Sequence, residues 1–293
     1  MGIIENLKLF IKSTFKGFSG KKLSKKEKAE AQAHFNLGNK YMESKQLDQA
    51  EEEYTKALAL NPDLSEALIN MGIIHYHKLN REGAIESFKR AYFSDPDNQR
   101  ACYWVGRLNY EMNEINKAEK MLKKAITIKT DFLEAHYYLG LTYLKKEMYD
   151  FAIDYLRKTV SIDPEWSEAY IYLGKAHYKK SEFKKAVDML ENAITIIPGD
   201  LDAHIYLTES YIADNRLEDA LRTAKIALEI DTNNPDVHYL LWKIYMSKGD
   251  EENTSKERTQ ILQLKPEYIK VLEISASGKN ITTEDIPIIV KSK

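Results

Sequence analysis

Apolar residues recur along most of the chain at the spacing of amphipathic helices, and the pattern repeats every 34 residues. In a frame that starts at Ala31, apolar or small residues occupy positions 4, 7, 8 and 11, and then positions 20, 24 and 27. Since residues three and four apart share one face of an α-helix, each unit is predicted to form two helices with one buried face each. Seven units fit without insertion and end at Tyr268.

Small residues mark three positions of the frame. Position 8 is glycine in the first five units, namely Gly38, Gly72, Gly106, Gly140 and Gly174. Glycine inside a helix costs about 1 kcal/mol relative to alanine, so its recurrence predicts close packing of the second helix against the first. Positions 20 and 27 are mostly alanine, and position 32 is proline in five units. Proline lacks a backbone donor and is predicted to end the second helix.

This pattern resembles the tetratricopeptide repeat family. The shared features are the period, Leu-Gly at positions 7 and 8, alanine at 20 and 27, a large apolar residue at 24 and proline at 32. The resemblance covers residues 31–268 and implies an all-α fold, a right-handed α-solenoid of antiparallel helix pairs. It also implies a concave groove, lined by the first helices, that holds a peptide or helix of a partner protein. The pattern weakens near the end, where Thr208 and Trp242 replace the glycine.

Charge divides the chain into unequal parts. Residues 1–28 carry eight lysines against two glutamates, a net charge of +6, whereas the whole chain has a formal charge of −2, which leaves −8 for the remainder. We predict a basic amphipathic helix and linker over residues 1–30, a seven-repeat array over 31–268, and a short capping helix with a tail over 269–293.

The first part has the pattern of a helix that lies in a membrane surface. An apolar stripe stands opposite a lysine face and is followed by a basic cluster, which favours contact with an anionic membrane. The residues of this predicted membrane or docking helix are Ile3, Ile4, Leu7, Phe10, Ile11, Phe15, Phe18, Lys8, Lys12, Lys16, Lys21 and Lys22. The alternatives are that the helix caps the first repeat, or that it docks on a neighbouring copy and builds homo-oligomers.

The predicted location is the cytoplasm or the cytoplasmic face of a membrane. The single cysteine, Cys102, excludes an internal disulfide and fits a reducing compartment. Lysines interrupt the N-terminal apolar segment where a signal peptide would need an uninterrupted core. No apolar run reaches the roughly 18 residues of a membrane-spanning helix.

Side chains on the free face of each first helix are predicted to bind the partner. At about 100° per residue, positions 2, 6, 9 and 13 lie opposite the packed face, with positions 5 and 12 on its flanks. Position 6 is aromatic in units three to six, and aromatic side chains combine a large contact area with a polar tip. The predicted groove residues are Asn36, Asn39, Asn70, Tyr103, Trp104, Arg107, Tyr110, Tyr137, Tyr138, Tyr172, Lys175, Tyr178, Tyr206, Tyr239 and Lys243.

Structural interpretations compete with partner binding at these positions. The aromatics at position 6 could instead wedge between adjacent first helices and set the pitch of the solenoid. Acidic residues at position 2 are better explained as complements to the helix dipole. They are Glu66, Glu134, Glu168, Asp202 and Asp236.

Some members of the family bind a terminal carboxylate with a clamp of lysine, asparagine and arginine side chains. Asn39, Asn70 and Arg100 match three of its places. Phe35 and Trp104 replace two of its cations, so clamp function is not expected.

No catalytic or metal-binding set is visible, and no cofactor is expected. Six of the seven histidines fall at positions 4 or 11, where the repeat accounts for them. RNA binding is an alternative because other helical repeats read RNA, but the charge of −8 over residues 29–293 disfavours it. We therefore predict a non-enzymatic scaffold or adaptor.

Overall fold

The computed structural model describes residues 23–268. These residues form fourteen α-helices and a final 3-10 turn, and none of them lies in a strand. The helices are α1 Lys25–Glu43, α2 Leu47–Leu60, α3 Ser65–His77, α4 Arg81–Ser94, α5 Gln99–Glu111, α6 Ile115–Ile128, α7 Leu133–Lys145, α8 Tyr149–Ile162, α9 Ser167–Lys179, α10 Phe183–Ile196, α11 Leu201–Ala213, α12 Leu217–Ile230, α13 Pro235–Lys248 and α14 Glu251–Leu264, followed by the turn Pro266–Tyr268. The predicted all-α fold is confirmed, and the predicted capping helix and tail over 269–293 lie outside the described residues.

The chain divides into two compact units between Lys146 and Glu147. The first contains α1 to α7 and the second contains α8 to α14. First helices of adjacent repeats contact one another within each unit: α3 with α5 and α5 with α7, and likewise α9 with α11 and α11 with α13. Each unit therefore presents a row of neighbouring first helices.

The first helix begins six residues earlier than the repeat frame. Ser24 accepts a hydrogen bond from the backbone of Glu27, and the Glu27 carboxylate accepts one from the backbone of Ser24. This reciprocal capping box satisfies two donors that a helix start leaves unpaired. Residues 25–30, which the sequence assigned to a linker, are therefore helical. No helix among residues 23–268 is long and apolar enough to cross a membrane.

The glycine at position 8 makes room for the side chain at position 24 of the same repeat. A Cβ atom added to the glycine would come closer to that side chain than packed carbon atoms normally do. The pairs are Gly38 with Tyr54 (2.5 Å), Gly72 with Phe88 (2.6 Å), Gly106 with Leu122 (2.8 Å) and Gly174 with Leu190 (2.5 Å). All four large side chains are fully buried. The predicted close packing is confirmed, and the contact joins a helix backbone to a side chain.

In the last two repeats, the buried volume between positions 8 and 24 is filled from the first helix. Buried Thr208 replaces glycine in the sixth repeat, and position 24 there is the small Ala224. In the seventh repeat, Trp242 replaces glycine and is 2% exposed, while Arg258 at position 24 is exposed. Trp242 packs in one cluster with Ile261. In both repeats the first helix, which lacks glycine at position 8, thus supplies the larger buried side chain.

Each turn inside a repeat contains one left-handed residue, always at position 15. Its φ lies between 57° and 71°. These residues are Lys45, Leu79, Asn113, Glu147, Ser181, Asn215 and Gly249. Only the last is glycine, although glycine adopts this conformation at least cost.

The second helices end at position 30 in every repeat, whether or not proline follows. The next residue is extended in each case, as it is at Lys129 and Asp231, which precede Thr130 and Thr232. A residue before proline favours this conformation. Proline is therefore compatible with the helix end but is not required for it, which corrects the sequence interpretation.

The first and last repeats share an ion pair between positions 4 and 23. The distance from His34 Nδ1 to Glu53 Oε2 is 2.6 Å, as is that from His238 Nδ1 to Glu257 Oε2. His238 Nε2 also lies 3.1 Å from the Thr232 carbonyl oxygen. Both ring nitrogens face acceptors, which favours the protonated ring, and the hydrogen bond to Glu257 raises the pKa of His238.

Candidate functional site

The aromatic residues at position 6 of the first helices, which are predicted to line the groove, are partly accessible to solvent. Trp104, Tyr138, Tyr172 and Tyr206 are all half-buried. Leu240, at the same position of the seventh repeat, is 2% exposed. The four aromatics thus have packed bases and accessible edges, so the structure leaves them able to support the fold and to contact a ligand.

In the first unit, three rings surround one guanidinium group. The Arg107 Cζ atom lies 4.8 Å from the centre of the Tyr76 ring and 5.0 Å from the centres of the Trp104 and Tyr138 rings. We call these four residues the arginine cage. Arg107 also donates hydrogen bonds to the Tyr76 hydroxyl (2.8 Å) and to Glu111 Oε1 (2.9 Å). The guanidinium charge is therefore already compensated within the first unit.

The cage rests on buried aromatic residues. Trp104 stacks on Phe88, with ring centres 4.7 Å apart and an angle of 4°. Tyr103 is only 6% exposed and packs against Phe132 at 5.2 Å. Burial raises the pKa of Tyr103 to about 12. The prediction that Tyr103 lines the groove is wrong, because its flanking position turns the ring into the interface between repeats.

The cage continues through two further tyrosines. Tyr110 and Tyr137 meet the Tyr138 ring edge to face, at 5.7 Å and 5.4 Å. The Lys145 ammonium lies 4.1 Å from the centre of the Tyr110 ring. Lys145 was not among the predicted groove residues, although it occupies position 13 of the predicted free face. Burial lowers its pKa.

A polar network occupies the free face of the first three repeats. Asn70 Nδ2 donates to Asn39 Oδ1 at 2.9 Å, and Arg100 donates to Asn70 Oδ1 at 3.0 Å. The Tyr54 hydroxyl also donates to Asn39 Oδ1, at 2.7 Å. Arg100 is paired in turn with the Glu66 carboxylate. The three clamp-like residues are thus brought together and form hydrogen bonds to each other. Asn36 is exposed beside them.

In the second unit, a lysine takes the place of the caged arginine. Lys175 Nζ lies 4.4 Å from the centre of the Tyr206 ring and 5.4 Å from that of Tyr172. Burial lowers the pKa of Lys175 and raises the pKa of both tyrosines. At neutral pH the tyrosine hydroxyls are therefore protonated, so each has a hydrogen to donate.

Glu209 stands at a predicted groove position but was not among the predicted groove residues. It occupies position 9 of the sixth repeat, between Lys175 and Lys243 at position 9 of the repeats on either side. Burial raises the pKa of Glu209, and its interactions with these lysines are electrostatic only, without a hydrogen bond. The sequence could have indicated this residue, because position 9 is one of the predicted groove positions.

The other predicted groove residues of the second unit are half-buried. Tyr178 packs against Phe183 with ring centres 5.6 Å apart. Tyr239 stacks on Trp242 at 5.7 Å, and Lys243 Nζ lies 5.8 Å from the centre of the Tyr239 ring. The acidic residues at position 2 all lie in the first turn of their helices, as the dipole interpretation predicts.

The described residues contain no cluster of three or more histidine, cysteine or acidic side chains arranged to hold a metal ion. Cys102 is buried, and burial raises its pKa to about 11, so it is a poor nucleophile. His177 Nδ1 lies 2.7 Å from Glu182, and His204 Nε2 lies 2.8 Å from the Pro198 carbonyl oxygen. Both histidines therefore have hydrogen-bond partners within the fold.

The predicted membrane or docking helix, from Ile3 to Lys22, lies outside the described residues. The basic cluster that follows it is partly described, because Lys25, Lys26 and Lys28 lie in the first turns of α1 and are exposed. Lys26 lies 3.8 Å from Glu30. Three of the eight N-terminal lysines are therefore attached to the first repeat.

Family models described as tetratricopeptide repeats match residues 31–64, 99–132, 133–165 and 177–244. Together these matches cover more than half of the chain. No curated protein matches the sequence significantly.

Several solved structures have a similar fold. YrrB, described as a TPR protein with an unusual peptide-binding site, is 22% identical over 67% of this chain and 100% of its own, with a TM-score of 0.57. MamA 41-end from Desulfovibrio magneticus RS-1 is 18% identical over 57% of this chain and 95% of its own, with a TM-score of 0.53. The Cut9–Hcn1 hetero-tetramer of the APC/C is 16% identical over 83% of this chain and 45% of that chain, with a TM-score of 0.62. At these identities the likeness shows the fold alone, an all-α solenoid of helix pairs.

Proposed function

Because this chain belongs to the tetratricopeptide repeat family, we propose that it is a non-catalytic scaffold that binds a segment of a partner protein on the free faces of its first helices. Family membership supports a role in protein interaction. The peptide-binding site named for YrrB is a property of that protein, and it makes peptide binding a reasonable proposal here.

The half-buried aromatics at position 6 carry the proposal. Tyr138 and Tyr206 make no hydrogen bond through their hydroxyl groups to any described residue. An extended peptide has unpaired backbone carbonyls, which such hydroxyls can satisfy while the rings cover its side chains. Residues that only set the spacing between helices would not need unpaired hydroxyl donors.

We expect the double substitution Tyr172→Ala and Tyr206→Ala to lower partner binding at least about thirtyfold, because buried aromatic anchors dominate interface energies. Capture by immobilised full-length protein from native cell extract, quantified by mass spectrometry, measures the loss. Phe151→Ala is the matched control, since Phe151 is an aromatic on a second helix and is 49% exposed.

Both variants need circular dichroism melting curves close to that of the parent protein. Equal capture by the parent and the double variant, with folding intact, would assign the tyrosines to helix spacing alone. Equal losses in the double variant and the Phe151→Ala control would also reject the groove.

For the N-terminal segment, we propose recruitment to the cytoplasmic face of an anionic membrane. The proposal is supported by the apolar stripe and by the exposed lysines at the start of α1. Each lysine near an anionic surface contributes about 1 kcal/mol to binding. Docking of this segment on a neighbouring copy is the alternative.

We expect the full chain to float with phosphatidylserine-containing vesicles and to stay behind with phosphatidylcholine alone. A truncated chain should begin at Leu23, so that the Ser24 capping box remains, and it should lose flotation. Equal flotation of both chains would reject the membrane proposal, and a loss of oligomer mass on truncation would favour docking between copies.

A further inference from the structure

Three charged residues of alternating sign occupy one repeat position in the second unit. Lys175, Glu209 and Lys243 stand at position 9 of the fifth, sixth and seventh repeats. All three are half-buried. Their helices α9, α11 and α13 are neighbours in contact, so the three side chains form a row across the face that carries Tyr172 and Tyr206. We call it the charge row.

None of the three charges is paired within the described residues. Neither the two lysines nor Glu209 makes an ion pair or a side-chain hydrogen bond there. The ammonium groups of Lys175 and Lys243 lie over tyrosine rings, and within the described residues neither contacts a carboxylate. Burial of an unpaired charge is unfavourable, and burial indeed shifts the pKa of both Lys175 and Glu209 toward the neutral form.

The charge row differs from the arginine cage of the first unit. Arg107 stands at the same repeat position but is bonded to Glu111 and Tyr76. The cage is therefore satisfied without a ligand, whereas the charge row is not. Three other charged groups face Lys175 or Glu209 electrostatically, namely Lys179, Asp202 and Asp236. They carry both signs, and within the described residues none of them forms an ion pair with a member of the charge row.

The spacing of the row sets the spacing of charges in a ligand. Packed helices lie about 8 to 10 Å apart, so successive position-9 side chains are separated by about that distance. An extended chain in the polyproline II conformation rises about 3.1 Å per residue with three residues per turn, so its side chains at intervals of three lie on the same side. Three residues of an extended ligand therefore cover the distance from one first helix to the next. A helical ligand, at about 1.5 Å per residue, would need about six residues.

We propose that the charge row selects an extended segment of a partner protein in which an acidic, a basic and an acidic residue follow one another at intervals of three. The acidic residues would pair with Lys175 and Lys243, and the basic residue would pair with Glu209. Because the order of charges is symmetric, the segment fits in either chain direction. The inference rests on the proposed function, since the same segment must lie over Tyr172 and Tyr206.

Two fluorescein-labelled peptides of identical composition test the order of charges. Both carry apolar residues at the intervening positions, and one has the order Asp-x-x-Arg-x-x-Asp while the other has Asp-x-x-Asp-x-x-Arg. We expect the full-length protein to bind the first about tenfold more tightly by fluorescence anisotropy, because the second places two like-charge pairs together. Raising the salt concentration should narrow this difference.

Variants at Glu209 test whether this residue causes the preference between the two peptides. Glu209→Gln should reduce the preference between the peptides from about tenfold to about threefold, because it removes one of the two like-charge pairs, leaves the one at a lysine and keeps the shape. Glu209→Lys should favour Asp-x-x-Asp-x-x-Asp over the alternating peptide by about tenfold. A structural role for Glu209 would lower the affinity for all peptides alike and would not reverse the preference. Glu229→Gln is the matched control, since Glu229 is exposed on the second helix α12, and it should leave the preference unchanged.

Each outcome decides the inference. Absence of binding by every peptide, equal binding of both orders, or a stronger preference for charges six residues apart would overturn it. If binding depends on Tyr172 and Tyr206 but not on charge order, the inference fails while the proposed function stands. If charge order matters while the tyrosine variant binds like the parent, the proposed aromatic contacts fail.

Discussion

Replacing Gly174 by alanine should destabilise the protein, although alanine is the better helix former. The added methyl group would lie 2.5 Å from Leu190 Cγ and 3.0 Å from both Leu190 Cδ atoms. Overpacking of this kind costs about 1 to 3 kcal/mol, and the gain in helix propensity offsets about 1 kcal/mol. Since Leu190 is fully buried, it has no solvent space to move into. The overpacking cost should therefore lie in the upper half of that range, and we expect a net loss of about 1 to 2 kcal/mol in urea unfolding.

A substitution of Leu190, the residue that packs against Gly174, tests the same contact from the other side. Leu190→Ala alone should cost about 2 to 5 kcal/mol, because it leaves a cavity. In the double variant the new methyl at position 174 enters that cavity, so the combined loss should be at least about 1 kcal/mol smaller than the sum. The sixth repeat already combines Thr208 with Ala224 in this way.

Gly199→Ala is the control for the glycine experiment. No atom lies within 4 Å of a Cβ at Gly199, so this change should be neutral. Strict additivity of Gly174→Ala and Leu190→Ala, or a stabilising Gly174→Ala, would show that the glycine does not serve this packing.

Replacing Trp242 by glycine, the residue typical of the family at position 8, should give the largest loss of stability among the variants proposed here. Trp242 is 2% exposed and packs with Tyr239 and Ile261. Removal of a buried tryptophan side chain costs about 3 to 5 kcal/mol, and glycine inside α13 adds about 1 kcal/mol. Arg258 cannot fill the space, because it is exposed. Trp242→Gly should therefore destabilise the seventh repeat.

The loss should be local before it is global. Helix α14 buries only Glu257 and Ile261, so it depends on Trp242 for much of its packing. Hydrogen exchange of residues 251–264 should accelerate in the variant while α9 and α10 stay protected. Met246→Ala, on the same helix and 38% exposed in the parent, is the control. Unchanged exchange in α14 would contradict the packing assigned to Trp242.

The sequence pattern predicts the helix pairs well because burial of one face repeats at a fixed period. Alanine at positions 20 and 27 is fully buried wherever it occurs. The pattern does not predict the left-handed residue at position 15, since Leu79, Glu147 and Gly249 share no chemical property. That conformation follows from the geometry of the two packed helices. The early start of α1 was missed for a related reason, because the Ser24 cap lies before the repeat frame.

The binding surface was predictable by position more than by residue type. Helical geometry predicts Tyr138, Tyr172 and Tyr206 on the free face, and their half-buried state is compatible with that prediction. It failed for Tyr103, which lies on a flank where the neighbouring repeat decides burial. Glu209 was not predicted, because the prediction included only aromatic, amide and basic side chains at the groove positions. Whether a charge is paired depends on side-chain contacts, and periodicity carries no information about these.

Site-specific photo-crosslinking in living cells tests the central claim most directly. A photoreactive phenylalanine analogue is placed at position 206, or at position 226, where Ile226 is 39% exposed on a second helix. The account predicts crosslinks from position 206 to one defined partner segment, mapped by mass spectrometry, and none of these from position 226. Crosslinks to that segment from position 226 alone, or equally from both positions, would contradict it.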